Sequence, residues 1–291
     1  IRRIDEMSAP LARAALLCLS ALAVVVGLSW WNPKGNYWKS VEPPKAQCEA
    51  YQSDRVRMPA VLSQDVYDPE KLNRLIREPQ NTVSNLPYAL AGLAILLAGR
   101  RLASFGLGLA GLFLGFGSGM YHASLLPEWR MIDILGVYAV LYSLLLIGVA
   151  TRFKQLGEHR LAWVAVVATW LAAIYTGVHR NNLRWFGVKL FDSTYVFIAA
   201  VALGCLLAVL AYRHAANRKR YLKAMAVFVL STSLSFAGGI GDRFDGFWAG
   251  PEFLIQGHAI WHTFGAVSLL AIYEAFSAAG FDRSVLQREI A

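Results

Sequence analysis

The stretch FGLGLAGLFLGFGSGMYHASLL, residues 105–126, decides the fold of this chain. It is apolar over a length close to the roughly 20 residues that a helix needs to cross a bilayer. Its many glycines make a narrow surface on which neighbouring helices can pack closely. One histidine, His122, stands near its end. The stretch therefore predicts a membrane helix within a bundle, with a polar group near one membrane face.

Similar apolar blocks fill most of the rest of the sequence. The chain has 291 residues, of which 56% are hydrophobic and only 16% charged, against roughly 25% charged in soluble proteins. Eight blocks stand out, at about 11–31, 82–99, 103–125, 131–150, 161–178, 189–211, 221–239 and 253–276. The pattern predicts an all-α polytopic membrane protein with eight transmembrane helices.

Four regions follow from these blocks. Residues 1–31 are expected to form the N-terminal transmembrane helix, 32–80 an extracytoplasmic polar segment, 81–276 a core of seven helices and 277–291 a cytoplasmic tail. The first block could instead be a signal peptide. The paired Trp30 and Trp31 fit an interfacial anchor, and no small-residue cleavage pattern precedes Asn32, so a retained helix is favoured.

The positions of Lys and Arg predict the orientation. Twelve of them fall in alternate loops and the C-terminal tail, against five in the short loops on the opposite side. The richer side should be cytoplasmic, which puts both termini inside and residues 32–80 outside. The net charge of +9 is then mostly an orientation signal with attraction to anionic lipid headgroups. A nucleic-acid partner is not expected, because no basic face with interleaved aromatics is present.

Four ionisable residues share one predicted membrane depth. His122 ends the third block, Asp133 opens the fourth, and His258 and His262 open the eighth. Ionisable side chains in spanning segments are costly and usually face a partner or a cavity. Two histidines four residues apart on one helix, with a third from another helix, can give three ligands to Zn²⁺ and leave a fourth position for water. The pattern indicates a hydrolytic metal site at the outer side of the membrane.

Ser118 precedes His122 by four residues and shares its helix face. Alternative interpretations remain open for each part of this set. Ser118 could belong to a seam of small packing residues, and Asp133 could complement the dipole of its own helix. The pair His258 and His262 could be interfacial polar residues.

Together these residues resemble the alkaline ceramidases and the wider membrane hydrolase superfamily that includes the adiponectin receptors. The resemblance covers about residues 78–276 and implies a seven-helix, ceramidase-like core, to which this chain adds one extra N-terminal transmembrane helix. It rests on Ser118-x-x-x-His122, Asp133 and His258-x-x-x-His262, with Glu78-x-x-Asn81-Thr82-Val83-Ser84-Asn85-Leu86 at the entry to the first core helix.

The resemblance implies a zinc-dependent enzyme that hydrolyses the amide bond of ceramide or a related N-acyl lipid. It implies His122, His258 and His262 as Zn²⁺ ligands. Asp133 would act as the acid and base, and Ser118 would help to hold the metal water or the oxyanion. Chemistry supports these roles independently, because Zn²⁺ lowers the pKa of bound water and a neighbouring carboxylate can move its proton.

The polar segment departs from the family pattern. Ceramidases with a Ca²⁺ site use an acidic cluster just before the first core helix. Glu49 and Glu78 match parts of it, but a long insertion separates them, and Ala46 and Gln47 stand where the family has an acid and a Trp. A Ca²⁺ site is therefore only partly supported. The insertion could instead form a lid over the outer entrance.

Other function classes fit the sequence less well. An intramembrane serine protease would need Gly-x-Ser-Gly, but Phe116 stands at the first glycine position. His258 and His262 share one helix face and cannot both ligate one haem axially. A metal transporter would carry polar residues through the full membrane depth. A non-catalytic, receptor-like protein with a structural zinc remains the main alternative.

Overall fold

The computed structural model describes residues 75–153, 159–179, 183–185, 188–191, 193–215, 217–243 and 256–281. Within these ranges the protein is helical apart from one two-stranded hairpin. The elements in chain order are α1 Pro79–Val83, α2 Leu86–Ala98, α3 Leu102–Ser124, α4 Pro127–Arg152, α5 His159–Val178, β1 Leu183–Trp185, β2 Val188–Phe191, α6 Ser193–Ala211, a 3₁₀ turn Tyr212–His214, α7 Arg218–Arg243 and α8 Gly257–Ala278.

Six helical segments in the described part are long and apolar enough to cross a membrane. They are Pro79–Ala98, Leu102–Ser124, Glu128–Arg152, Leu161–Val178, Arg218–Gly241 and Gly257–Ala278. A shorter apolar segment, Val196–Ala211, lies within α6. The all-helical, multi-pass prediction is confirmed. The extra helix predicted at 11–31, the segment 32–74 and the tail beyond 281 lie outside the described residues.

One predicted helix boundary is wrong. The sixth apolar block was expected to begin at 189, but residues 188–191 form β2, which pairs antiparallel with β1. Val188, Lys189 and Leu190 alternate apolar and polar residues, the period of a strand rather than of a helix. The helix itself begins at Ser193.

Glycines let α3 approach two neighbours closely. A β carbon on Gly115 would lie 2.5 Å from the backbone nitrogen of Ala89 on α2. A β carbon on Gly117 would lie 2.6 Å from Cγ2 of Ile132 on α4. Such close contacts are possible only without a side chain. The glycine-rich stretch that opened the sequence thus fixes α3 between α2 and α4, and α8 also packs against α2 and α7.

Candidate metal centre

Three helix ends meet at one end of the bundle. Leu125 adopts a left-handed conformation (φ 54°) and ends α3, and Pro127 begins α4 two residues later. Proline suits the first turn of a helix because its missing N–H would have no helical acceptor there. This short connection brings the last turn of α3 beside the first turns of α4. The first turns of α8 approach the same place, since His122 of α3 contacts His258 and His262.

The three histidines form a compact cluster. One ring nitrogen from each of His122, His258 and His262 lies within 4.8 Å of the others. The ring centroids are 4.9 Å apart for His122 and His258, 5.1 Å for His122 and His262, and 4.5 Å for His258 and His262. Small side-chain movements would bring nitrogens at this spacing onto a single ion, because Zn–N bonds of about 2.0–2.1 Å require ligand nitrogens no more than about 4.2 Å apart.

The δ nitrogens of two histidines already have partners. Nδ1 of His122 lies 2.5 Å from Oε2 of Glu78, and Nδ1 of His262 lies 2.9 Å from the Ser84 hydroxyl. These bonds leave the ε nitrogens for a metal. Nε2 of His122 is buried and has no hydrogen-bond partner among the described residues. A ring held through one nitrogen by a carboxylate or hydroxyl, with the other nitrogen free, is the usual state of a metal-ligating histidine.

The segment around α1 supplies both of these partners. Ser84 donates its own hydroxyl hydrogen to the Asn81 carbonyl (2.9 Å), and the Asn81 amide donates to Oε2 of Glu78 (3.1 Å). The backbone nitrogens of Arg77 and Glu78 donate to carbonyls at the end of α3, those of residues 123 and 122, each at 3.0 Å. The supporting groups are therefore tied to the helix that carries His122.

Glu78 is buried yet favours the ionised state. Burial alone would raise the pKa of its carboxyl, but the hydrogen bond and charge of His122, the Asn81 amide and the charge of His258 together lower that pKa to about 2. A carboxylate at this place accepts the Nδ1 hydrogen of His122. It thereby fixes the tautomer in which Nε2 carries the free lone pair.

Asp133 and Ser118 lie at the edge of the histidine cluster. The Asp133 carboxylate is within electrostatic range of His122 and His258, and it lies beside the Ser118 hydroxyl. The Ser118 oxygen is buried and forms no well-shaped hydrogen bond among the described residues. Gly117 contributes to this arrangement, because it leaves room for the side chain of Ile132, the residue before Asp133 on α4.

An apolar cavity of about 180 Å³ lies among the helices of the bundle. Its walls come from α2, α3, α4, α6, α7 and α8, and most of its lining side chains are aliphatic or aromatic. Trp261, next to His262 in sequence, is part of the wall, as is Gly265 one turn further along α8. The cavity therefore reaches the neighbourhood of the histidines.

The sequence profile of the ceramidase family matches residues 71–283, a range that includes the histidine cluster and every helix around it. The chain belongs to the ceramidase family. This agrees with the resemblance found from the spaced polar residues. Neither the curated proteins nor the solved structures gave a significant match. Family membership supports a hydrolase that acts on ceramide in a membrane.

In this ceramidase-family chain, the structure brings together all five residues predicted to form the site. His122, His258, His262, Asp133 and Ser118 meet although they come from three helices. The possible Ca²⁺ site is unsupported, because the Glu78 carboxylate is directed at His122 and Asn81 instead. Its second candidate, Glu49, lies outside the described residues.

Sequence reasoning missed the supporting role of Glu78 and Ser84. Glu78 was assigned only to the Ca²⁺ pattern, and Ser84 only to the family motif. A signal was present: Glu78, Asn81 and Asn85 follow one another at three and four residues, which places polar groups on one face of an otherwise apolar helix entry. That periodicity indicates a polar face with a partner, but it does not identify the partner.

Proposed function

We propose that this protein is a zinc-dependent intramembrane hydrolase that cleaves the amide bond of ceramide or a related N-acyl lipid, giving a sphingoid base and a fatty acid. One observation carries the proposal. Three histidines whose nitrogens lie within 4.8 Å of one another stand beside an apolar cavity of about 180 Å³. A cavity with an apolar lining of this kind suits a lipid chain.

The donor set fits zinc. Three imidazoles with a fourth position left open is a common arrangement for catalytic Zn²⁺. His122, His258 and His262 would hold the ion through ring nitrogens, with Glu78 and Ser84 orienting two of the rings. A bound Zn²⁺ would lower the pKa of a water molecule towards roughly 7 and polarise the scissile carbonyl.

The remaining polar groups have roles in moving protons and stabilising charge. Asp133 would accept the proton of the attacking water and pass it to the leaving nitrogen, which must be protonated to depart as an amine. The Ser118 hydroxyl, which forms no well-shaped hydrogen bond within the described part of the chain, would donate to the oxygen that becomes negatively charged as water adds to the carbonyl.

The charge distribution supports a proposal for the location of the site relative to the membrane. We place the histidine end of the bundle towards the extracytoplasmic side and both termini in the cytoplasm, because Lys and Arg favour the loops at the other end. The lipid chain would lie within the bilayer thickness, and the amide would reach the histidines at its outer edge.

The decisive experiment is incubation of the purified protein with ceramides and other N-acyl lipids. Fatty-acid release should occur, should stop after treatment with a chelator and should return when Zn²⁺ is added. The Asp133→Asn variant, assayed in parallel, controls for a contaminating hydrolase. A zinc-loaded protein that releases no fatty acid from any of these lipids would reject the enzyme and favour the receptor-like alternative.

A further inference from the structure

The phenol of Tyr88 reaches the cavity wall just below the histidines. Tyr88 stands on α2, is only 9% exposed and packs edge-on to His262, with the ring centroids 6.5 Å apart. Its side chain lines the cavity. No described residue exchanges a hydrogen bond with its hydroxyl group. A buried hydroxyl beside the candidate centre is therefore available to whatever fills the cavity.

Gly265 makes room for this hydroxyl. A β carbon on Gly265 would lie only 2.1 Å from the Tyr88 oxygen, so any larger residue would displace the phenol. Gly265 follows His262 by three residues, which is about 4.5 Å along the axis of α8. The Tyr88 hydroxyl is thus placed about one helical turn from His262, along the wall of the cavity.

A second hydroxyl stands close to the first and has the opposite hydrogen-bonding capacity. The Ser235 oxygen lies 3.6 Å from the position that a β carbon on Gly265 would occupy, and Ser235 also lines the cavity. Ser235 gives its hydrogen to the Trp261 carbonyl at 2.8 Å, so its oxygen can only accept another bond. Tyr88 therefore offers a donor, and Ser235 an acceptor, in a wall that is otherwise mostly apolar.

We infer that Tyr88 and Ser235 form a subsite for an alcohol on the lipid, a few bonds from the scissile amide. An alcohol both accepts and donates one hydrogen bond, so it complements this pair, whereas a plain hydrocarbon chain leaves both groups unsatisfied. Sites built around a substrate hydroxyl discriminate strongly against analogues that lack it. The inference rests on the proposed function and adds a choice of substrate to it.

The alcohol could belong to the amine half of the lipid or to its acyl chain. Three N-acyl lipids of matched chain length separate these sources: an N-acyl alkylamine without hydroxyls, an N-acyl sphinganine and an N-(2-hydroxyacyl) alkylamine. The parent protein should prefer one of the two hydroxylated lipids over the plain amide. The preferred one identifies the source of the alcohol, and no preference for either would overturn the inference.

Tyr88→Phe removes the donor and keeps the ring. The preference for the hydroxylated lipid, measured as a ratio of kcat/KM values, should fall about 3- to 10-fold, the effect of one neutral hydrogen bond. The loss should appear mainly in KM. Tyr142→Phe is the matched control, because its hydroxyl bonds Thr176 at 2.9 Å away from the cavity lining. An unchanged ratio in Tyr88→Phe, or an equal fall in the control, would overturn the inference.

Gly265→Ala provides a second variant, because the new methyl group would collide with the Tyr88 hydroxyl. It should reduce the same preference, and a parental ratio would contradict the subsite. Equilibrium binding of the three radiolabelled lipids gives a readout that does not depend on hydrolysis. If the parent cleaves none of the three lipids, the proposed function fails. A binding preference for a hydroxylated lipid that depends on Tyr88 would still support the subsite. If binding shows no such preference, the subsite is rejected.

Discussion

Oε2 of Glu78 lies 2.5 Å from Nδ1 of His122, across 44 residues of sequence. Both side chains are buried, and the carboxylate also accepts a hydrogen bond from the Asn81 amide. Through this contact, an acidic residue at the start of the first core helix orients the ring of a candidate metal ligand. It also explains why Glu78 is poorly placed to hold Ca²⁺.

Glu78→Gln tests this support. Glutamine keeps the size of the side chain but removes its charge, so it accepts the Nδ1 hydrogen of His122 less strongly. We expect Zn²⁺ affinity to fall about 10- to 100-fold, as is usual for partners of metal-ligating histidines. Competition with a fluorescent chelator measures it. The same change at exposed Glu128, in the first turn of α4, should have no effect; equal affinity of both variants would refute the supporting role.

The histidine cluster should account for all bound zinc. Replacement of His122, His258 and His262 by Ala should abolish the single Zn²⁺ per chain, since none of the three ligands remains. The measurement is metal content after purification. His179→Ala is the control, because that exposed histidine packs against Tyr175 on α5, away from the cluster. Unchanged metal content in the triple variant would show that the site lies elsewhere.

Asp133→Asn should separate catalysis from metal binding. The amide keeps the size of the side chain but cannot take up the proton of the attacking water. We expect retained Zn²⁺ and a loss of about 10²–10⁴ in rate, the usual contribution of general acid–base catalysis. Single-turnover hydrolysis of a ceramide, with metal content measured on the same sample, gives both quantities. A parental rate with full zinc would remove Asp133 from the mechanism.

Ser118→Ala should have a smaller effect of the same kind. Loss of one hydrogen-bond donor to a developing oxyanion lowers the rate by a factor of about 10–10³. The metal should stay bound, because Ser118 is not one of the proposed ligands. The fall should appear in kcat rather than in KM. Ser143→Ala is a suitable control, since Ser143 is equally buried in α4 one helix away. Full activity of Ser118→Ala would favour the packing-seam interpretation.

The orientation can be tested by single-cysteine labelling. After Cys18, Cys48 and Cys205 are replaced, cysteine is introduced at Asp54 or at Lys219. An impermeant thiol reagent should label position 54 in intact cells and should reach position 219 only after the membrane is opened. The reason is the Lys and Arg excess on the side of residue 219. The opposite labelling pattern would invert the proposed orientation.

The sequence by itself determined the class of fold and predicted which residues meet at the candidate site. Apolar blocks of membrane-spanning length define the helices, because water-free surroundings force the backbone to satisfy its hydrogen bonds within each segment. The isolated His122, Asp133, His258 and His262 were conspicuous for the same reason, since buried charge in a membrane needs a partner. The glycines around Ser118 predicted close packing, which the approach of Ala89 and Ile132 bears out.

Only the tertiary structure decided which groups support the site. Periodicity shows that Glu78, Asn81 and Ser84 are polar in an apolar setting. It cannot show that α1 lies across the end of α3, where Glu78 contacts His122 and Ser84 contacts His262. The sequence also does not show that the Tyr88 hydroxyl packs against Gly265. These contacts join residues about 40 to 180 positions apart, and their geometry depends on how separate helices pack rather than on any local pattern.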